Sequence, residues 1–304
     1  MNFLIGNHQD KKKIYQYWKE IFKHDDGGHI DFYFNNGYDS TTNYLIKDDK
    51  NIASSLNVAK GNLDLNGYLI RYSFILGVFT TTGYRNLGYM DQLMKKTLAL
   101  LERQDLVSIL QAYNVDLYKK YGFEPFLYTK EILLDLKALE LVDYSMVRLD
   151  VRNQEFLKLY NLFTSHFSGF KIRDYQYYLR KQNLNQDCGI RTALVVSDDD
   201  NVLGYMYFKV NKDLVIVEEI IYSSALVYAQ LISYLSVHDR PVLVKVSEFE
   251  GVERIYQGEV SKICDTLIRV NDYHLLSKLL NADIKNVKEL RASITKPIYF
   301  KEFE

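Results

Sequence analysis

The sequence predicts an α/β protein in which one order of strands and helices occurs twice along the chain. The first observation is an apolar strand candidate, residues 68–79, that runs through a short glycine-containing loop into a helix candidate. The second is that strands, loop, helix and strand follow one another as in α/β folds, in which helices flank a mixed central sheet. The third is that this order returns after residue 146. The 304 residues provide enough chain for two domains.

In the first half, each element follows from its residue pattern. Residues 10–23 form an amphipathic helix candidate, because Ile14, Trp18, Ile21 and Phe22 fall on one face at helical spacing. Elsewhere, β-branched and aromatic runs bounded by turn residues predict strands, and helical spacing of apolar residues predicts helices. The further elements are strands at 42–46, 52–59, 68–79, 106–112 and 123–136, and helices at 90–101 and 116–120.

The second half repeats this order without the loop chemistry of the first. The strand that ends at Tyr222 leads through Ser223 and Ser224 directly into a helix, with no glycine or arginine in between. We therefore expect no cofactor site in this unit. The predicted elements are helices at 151–167, 174–181 and 225–234, and strands at 191–196, 202–210, 214–222 and 241–246.

Composition and charge argue against several function classes. The net charge is −1 and there is no basic block, which argues against nucleic-acid binding. Cys188 and Cys264 show neither metal-ligand spacing nor a disulfide framework, so we expect no metal site and a reducing, cytoplasmic location. No apolar run reaches the length of a membrane span, and Lys11 to Lys13 interrupt the N-terminal region where a signal sequence would be apolar.

The loop between residues 79 and 90 has the features of an anion site. The first turn of a helix has N–H groups without intrahelical acceptors, and the helix dipole adds positive potential there. Gly88 lacks a Cβ, so a phosphate can come close to the backbone, and Arg85 can add a charge-assisted hydrogen bond. Taken singly, Gly88 could equally be an ordinary turn glycine and Arg85 a solvated surface residue.

A second segment, Tyr118-Lys119-Lys120-Tyr121-Gly122-Phe123, follows this loop. Together the two resemble the Gcn5-related N-acetyltransferases, abbreviated GNAT. In that superfamily an Arg/Gln-x-x-Gly-x-Gly/Ala loop binds the pyrophosphate of acetyl-CoA, and a Tyr-x-x-Phe/Tyr-Gly-Phe segment places a tyrosine beside the thioester sulfur. Here the loop reads Arg85-x-x-Gly88-x-Met90, with methionine in place of the last small residue.

In this respect the loop resembles that of the Eis (enhanced intracellular survival) acetyltransferases, which often carry a larger apolar residue at the position of Met90. A competent GNAT fold followed by one without a cofactor loop is the tandem arrangement of that family. The resemblance implies a catalytic GNAT domain at 1–145, a degenerate second GNAT-like domain at 146–247, and a shortened sterol-carrier-like α+β region with an active-site tail at 248–304. It also implies a homo-oligomer, hexameric in that family, although the C-terminal region is shorter here.

The resemblance further implies an N-acetyltransferase that uses acetyl-CoA as cosubstrate. The acceptor would be a primary amine of a small molecule or peptide, such as a polyamine, an aminoglycoside-like compound or a lysine side chain. Tyr118 would be the general acid, because its ordinary pKa of about 10 suits protonation of the leaving thiolate. A backbone N–H of the strand end would stabilise the oxyanion. The cofactor would contact Val78, Phe79, Thr80, Arg85, Asn86, Leu87, Gly88, Tyr89 and Met90.

The identity of the general base stays open at this level. No histidine lies near either motif, and His29 and Asp31, in the loop after the first helix, are candidates at the border of the acceptor pocket. In Eis relatives the chain's own C-terminal carboxylate enters the active site of the first domain, so the resemblance implies this role for Glu304. The alternative is a terminal segment that is frayed and solvated.

Two other functions remain open from the sequence. A non-catalytic acyl-CoA-binding or assembly protein could keep the fold, although it would have no use for an acid at Tyr118. A tandem-fold aminoacyl transferase of cell-wall peptides should show a basic surface for aminoacyl-tRNA, and the net charge of −1 argues against that surface.

Overall fold

The computed structural model describes residues 2–23 and 27–302, which form two compact units. The first unit is built from Met1–Phe126, Asp265–Ser293 and the chain from Glu302, and the second from Leu127–Cys264 and Ile294–Lys301. The units are therefore interleaved along the chain. The domain limits predicted at residues 145 and 247 divide the chain by sequence resemblance rather than by contacts, and they stay predictions.

Strands and helices alternate in a mixed α/β architecture, which confirms the predicted fold class. The strands are β1 (Asn2–Ile5), β2 (Asn43–Asp48), β3 (Asn51–Leu65), β4 (Tyr68–Thr80), β5 (Val107–Gln111), β6 (Glu124–Leu134), β7 (Val147–Arg148), β8 (Phe170–Lys171), β9 (Arg191–Val196), β10 (Val202–Val210), β11 (Val215–Tyr222), β12 (Val242–Ser247) and β13 (Glu259–Val270). The helices are α1 (His8–Ile21), α2 (His29–Asn36), α3 (Tyr89–Leu101), α4 (Asp116–Lys119), α5 (Asn153–Thr164), α6 (Tyr175–Asp187), α7 (Ala225–Tyr234), α8 (Tyr273–Leu280) and α9 (Val287–Ser293).

The elements predicted for both halves are present, with ends that differ by up to six residues, and β1, α2, β7 and β8 are additions. β1 has only four residues, too few for a period to be recognised. α2 begins directly after Gly28, which has a left-handed backbone with φ of 98°. Glycines at this point indicate a loop in the sequence, and the helix that follows has only eight residues.

The sheet of the first unit positions the β4–α3 loop. β1, β2, β3 and β4 pair antiparallel in that order, and β4 pairs parallel with β5. The parallel pairing joins Tyr72–Ile75 to Val107–Leu110, whereas β4 continues to Thr80. The last residues of β4 therefore run beyond the strand with which β4 pairs in parallel, and they lead into the loop.

A β-bulge marks the point at which β4 leaves β5. Gly77 and Val78 stand opposite the single residue Leu56 of β3, so the register shifts there. Gly77 has a φ of 60°, and a Cβ on it would lie 1.8 Å from the Trp18 ring. Glycine is thus required both by the backbone conformation and by the close packing of α1 over the bulge.

The sheet of the second unit has the same plan. β7, β9, β10 and β11 pair antiparallel, and β11 pairs parallel with β12 between Val215–Val217 and Val242–Val244. β11 continues to Tyr222 beyond this pairing, and its register with β10 shifts at Glu218. A bulge directly after the parallel pairing therefore occurs in both units.

The final strand of each sheet comes from an unexpected part of the chain. The strand at 123–136 was predicted as an element of the first half, and it is present as β6. β6 pairs with β12 of the second unit, and β5 of the first unit pairs with residues 266–270 of β13. The residue pattern of a strand shows that it is extended and which faces it buries, but it does not specify the strand with which it pairs.

Candidate cofactor and active site

The loop after β4 ends in an open helix N-terminus. Thr82–Tyr84 form one turn of 3₁₀ helix, after which Asn86 and Gly88 adopt left-handed backbones with φ of 61° and 79°. Gly88 is the N-cap of α3, and no side chain caps this helix. The N–H groups of its first turn therefore face outward without a side-chain acceptor, at the positive end of a 13-residue helix. This arrangement is suited to an anion.

Arg85 holds the loop against the end of β4. Its Nε donates to the carbonyl oxygen of Thr80 at 3.3 Å, and the side chain is exposed. The predicted cofactor residues run in sequence from the end of β4 through the loop into the first turn of α3, and among them the Phe79 side chain is buried. They are Val78, Phe79, Thr80, Arg85, Asn86, Leu87, Gly88, Tyr89 and Met90.

An ion-pair cluster lies at the first turn of α3. The carboxylate of Asp91 contacts Nζ of Lys95 at 2.7 Å and Nζ of Lys120 at 3.1 Å. Hydrogen bonds from Lys95 and then from Lys120 lower the pKa of Asp91 to about 2. The two lysines thus outweigh the charge of a carboxylate that would otherwise repel an anion at this helix end. The sequence analysis did not identify Lys120 as a site residue. Its position two residues after Tyr118 was the only indication in the sequence.

Tyr118 lies on α4, the short helix whose C-cap is Lys120. Its ring packs edge-to-face against Phe123 at 6.3 Å between centroids, and the side chain is partly buried. Burial raises the pKa of Tyr118 to about 12. The hydroxyl therefore keeps its proton at neutral pH and can act as a donor. Since Lys120 contacts Asp91, α4 and the first turn of α3 lie next to each other.

The candidates for a general base have different outcomes. His29 and Asp31 were expected in a loop, and this was wrong because both lie on α2. Asp31 accepts hydrogen bonds from the Tyr15 hydroxyl at 2.6 Å and from Nζ of Lys19 at 2.9 Å. These bonds, first that of Tyr15, lower the pKa of Asp31 and make it a weak base. Glu304 lies outside the described residues.

A cavity opens beside the loop, between the end of α1 and the start of β3. Its volume is about 330 Å³. Tyr17, in the wall of the cavity, packs against Phe79 of β4 at 5.4 Å between ring centroids. The cavity therefore borders the C-terminal end of β4. Glu20 contributes a carboxylate to the cavity wall, and the sequence analysis did not identify Glu20 as a site residue. The lining residues are Tyr17, Glu20, Ile21, Asn51, Thr81, Thr82, Gly83 and Tyr84.

The corresponding helix of the second unit has a closed N-terminus. Ser224 is the N-cap of α7, and its Oγ accepts a hydrogen bond from the N–H of Val227 at 3.3 Å. No left-handed residue intervenes between β11 and α7. One of the first-turn N–H groups is thus already satisfied by the chain itself.

Among the described residues, no group of His, Cys, Asp and Glu is suited to hold a metal ion, and no helix has the length and apolar character needed to cross a membrane.

Residues 6–126 match the family described as acetyltransferase (GNAT) domain. This match covers the loop after β4 and the Tyr118 segment. This part of the chain is similar to that family. Among curated proteins, none is significantly similar to this chain in sequence.

Solved structures show that the likeness of fold extends further than the GNAT domain. A GCN5-related N-acetyltransferase from Anabaena variabilis is 17% identical to this chain. The aligned region covers 92% of this chain and 74% of the Anabaena protein, with a TM-score of 0.76. A probable N-acyltransferase from Enterococcus faecalis is 15% identical over 88% of this chain and 72% of its own, with a TM-score of 0.75. Eis1 from Mycobacterium abscessus is 11% identical over 92% and 75%, with a TM-score of 0.67. The similarity of residues 6–126 to this family supports acyl transfer from an acyl-CoA, and the neighbours support the fold over 88–92% of the chain.

Proposed function

We propose that the protein is an acetyl-CoA-dependent N-acetyltransferase that acts on a primary amine. The observation that carries the proposal is the open N-terminus of α3, whose N-cap is the left-handed Gly88. The loop that leads to it follows the part of β4 that extends beyond the pairing with β5. In the GNAT domain this is the position at which an anionic cosubstrate finds backbone donors. The second unit has the same helix without this opening, which limits the proposal to the first unit.

The cofactor residues act mainly through their backbone. The N–H groups of Tyr89 and Met90 would donate to the pyrophosphate, and Arg85 and Lys120 would add charge beside it. Beyond its pairing with β5, the edge of β4 that faced β5 offers main-chain groups to which an extended pantetheine chain can pair like an added strand. A backbone N–H in the same stretch, at Val78–Thr80, would stabilise the oxyanion of the tetrahedral intermediate.

Tyr118 would complete the reaction by protonating the leaving group. The amine nitrogen forms a bond to the acetyl carbonyl carbon, and the bond between that carbon and the thioester sulfur breaks. The hydroxyl proton of Tyr118 passes to the thiolate, and the nitrogen loses a proton to a base. Because burial raises the pKa of Tyr118 to about 12, the tyrosinate readily regains its proton after each turnover.

The cavity beside the loop supports a cationic acceptor. The carboxylate of Glu20 would repel a phosphate but attract an ammonium group, and the rings of Tyr17 and Tyr84 can contact a cation through their faces. An amine bound there would lie near Phe79, at the end of β4 where the thioester is expected. We therefore assign the acceptor to this side of the loop, and Glu304, as the C-terminal carboxylate, remains the proposed base.

Several finer assignments belong to the same proposal. The tandem fold and the Eis1 likeness support an Eis-like arrangement, in which the second unit is a degenerate GNAT fold. A homo-oligomer, a cytoplasmic location and a shortened sterol-carrier-like C-terminal region are implied by that resemblance alone.

A panel of amines, assayed with acetyl-CoA by detection of the free thiol, tests the function. We expect turnover with acetyl-CoA and a cationic amine, and the acetylated amine in the mass spectrum. Glu20→Gln should raise KM for the amine and leave the Kd of acetyl-CoA unchanged. Saturable binding of acetyl-CoA without turnover of any amine would indicate a binding protein instead, and absence of binding would refute the cofactor assignment.

A further inference from the structure

The C-terminal segment of the described chain is buried in the second unit. Ile298, Tyr299 and Phe300 are each 2% exposed. The carbonyl oxygen of Pro297 accepts from the N–H of Ser168, and the N–H of Tyr299 donates to the carbonyl oxygen of Ser168, both at 2.9 Å. The segment thus pairs with the chain after α5 like a short parallel strand. The alternative of a frayed end does not hold for these residues.

The segment lies where the two parallel strands of the second unit diverge. Oγ of Ser247, the last residue of β12, donates to the carbonyl oxygen of Ile298 at 2.7 Å. The ring of Tyr299 belongs to the same apolar cluster as Ile221, in the part of β11 beyond its pairing with β12. In the first unit, the equivalent divergence of β4 and β5 is the proposed cofactor groove. The groove of the second unit therefore already contains an extended peptide.

A buried arginine fastens this peptide. The guanidinium of Arg173 forms two hydrogen bonds to the carboxylate of Glu219 on β11, at 2.9 and 2.6 Å, and donates to the carbonyl oxygen of Lys301 at 3.0 Å. Its side chain has no exposed surface, and it stacks on the Tyr160 ring at 4.0 Å. A fully buried charge with all its partners in place is costly to assemble, so it specifies the position of the segment that it binds.

Aromatic packing and charge complete the site. The ring of Tyr299 packs against Phe163 and Phe167 at 5.4 and 5.3 Å between centroids. Deeper in the unit, burial raises the pKa of Glu250, and attraction to the Lys301 and Lys130 ammonium groups opposes this rise. The groove thus offers an aromatic pocket to one residue of the peptide and a carboxylate to another.

We propose that the groove of the second unit is a binding site for an extended peptide, and that its ligand is the chain's own segment Lys296–Lys301. The second unit has kept the divergent strands and the bulge of the GNAT fold but uses them to hold a main chain instead of a pantetheine. This assignment does not depend on acetyl transfer by the first unit. It explains a helix N-terminus capped by Ser224, since no phosphate needs to bind there.

The test uses the full chain, nicked after folding. A recognition sequence for a site-specific protease is inserted after Thr295, which is exposed. After cleavage, we expect the peptide that begins at Lys296 to co-elute with the protein in size-exclusion chromatography and to appear with it in the mass spectrum. Arg173→Gln should speed its release tenfold or more. Arg152→Gln is the matched control, because Arg152 also pairs with carboxylates of the second unit, at its surface.

A second measurement covers the case in which Arg173→Gln fails to fold. A fluorescent synthetic peptide with the sequence of residues 296–304 is equilibrated with the nicked wild-type protein, in competition with the protein's own cleaved peptide. We expect saturable binding to one site, and tenfold or weaker binding of the same peptide with Tyr299→Ala. Equal affinity of the two peptides, or release from the wild type as fast as from Arg173→Gln, would overturn the proposal.

Discussion

Replacing Gly88 by alanine separates the backbone role of this residue from its role toward the cofactor. At φ of 79° and ψ of 8°, an alanine adopts a left-handed conformation that costs about 1–2 kcal/mol. A Cβ at this position meets no atom within 4 Å, so no steric term adds to the conformational cost. Gly67, in the turn between β3 and β4, has a φ of 84° and equally open space around its Cβ. Gly67→Ala is therefore the matched control.

The two variants should lose similar stability but differ in cofactor binding. In Gly88→Ala, a methyl group would stand beside the first-turn N–H groups of α3 and displace the pyrophosphate from at least one of them. Loss of one hydrogen bond to a charged group, about 1.5–3 kcal/mol, predicts a Kd for acetyl-CoA that is about 10- to 150-fold higher. Calorimetry gives the Kd, and urea denaturation gives the free energy of unfolding. If both variants bind acetyl-CoA as tightly as the wild type, α3 does not hold the pyrophosphate.

Three further predictions concern the acid, the charge at α3 and the second unit. Tyr118→Phe should lower kcat by about 10²–10⁴-fold with little change in the Kd of acetyl-CoA, and an unchanged rate, with chemistry rate-limiting, would make it a packing residue. Lys120→Met should weaken acetyl-CoA binding at low salt, whereas Lys119→Met, which loses a pair with Asp116 within α4, should not; equal calorimetric affinities would exclude Lys120 from the site. Burial raises the pKa of Glu250 to about 7 from an ordinary 4.5, so the folded state binds an extra proton, and its stabilisation is fully present below pH 4.5 and lost as the pH rises through 7. The free energy of unfolding should fall over this range by up to about 1.4 kcal/mol per pH unit, and Glu250→Gln should flatten the profile; an unchanged slope in denaturant titrations would contradict this.

The local part of the site was predictable from the sequence. Strand, loop and helix around Gly88 follow from apolar periodicity and from a glycine at a helix start, both of which act over a few neighbouring residues. The helix that begins after Gly88 and the short helix that carries Tyr118 were therefore predicted. The likeness of the second half to the first followed from the same signals.

The long-range part was not predictable. The pairing of Asp91 with Lys120 joins two helices that are separate in sequence, and nothing local indicates it. The buried Arg173 was one arginine among many, because burial of a charge depends on partners such as Glu219 that lie elsewhere in the chain. Asp31 was a reasonable base by residue type, but its contacts with Lys19 and Tyr15 lower its basicity.

The exchange of final strands between the two sheets has a consequence for biosynthesis. β5 has one edge covered by β4 and the other by residues 266–270, which the ribosome makes long after β5. Until those residues emerge, that edge presents unpaired N–H and C=O groups, a template for association with other nascent chains. A fragment that stops at residue 145 would keep this edge open permanently, so the isolated first half should aggregate when expressed, however good its own core is.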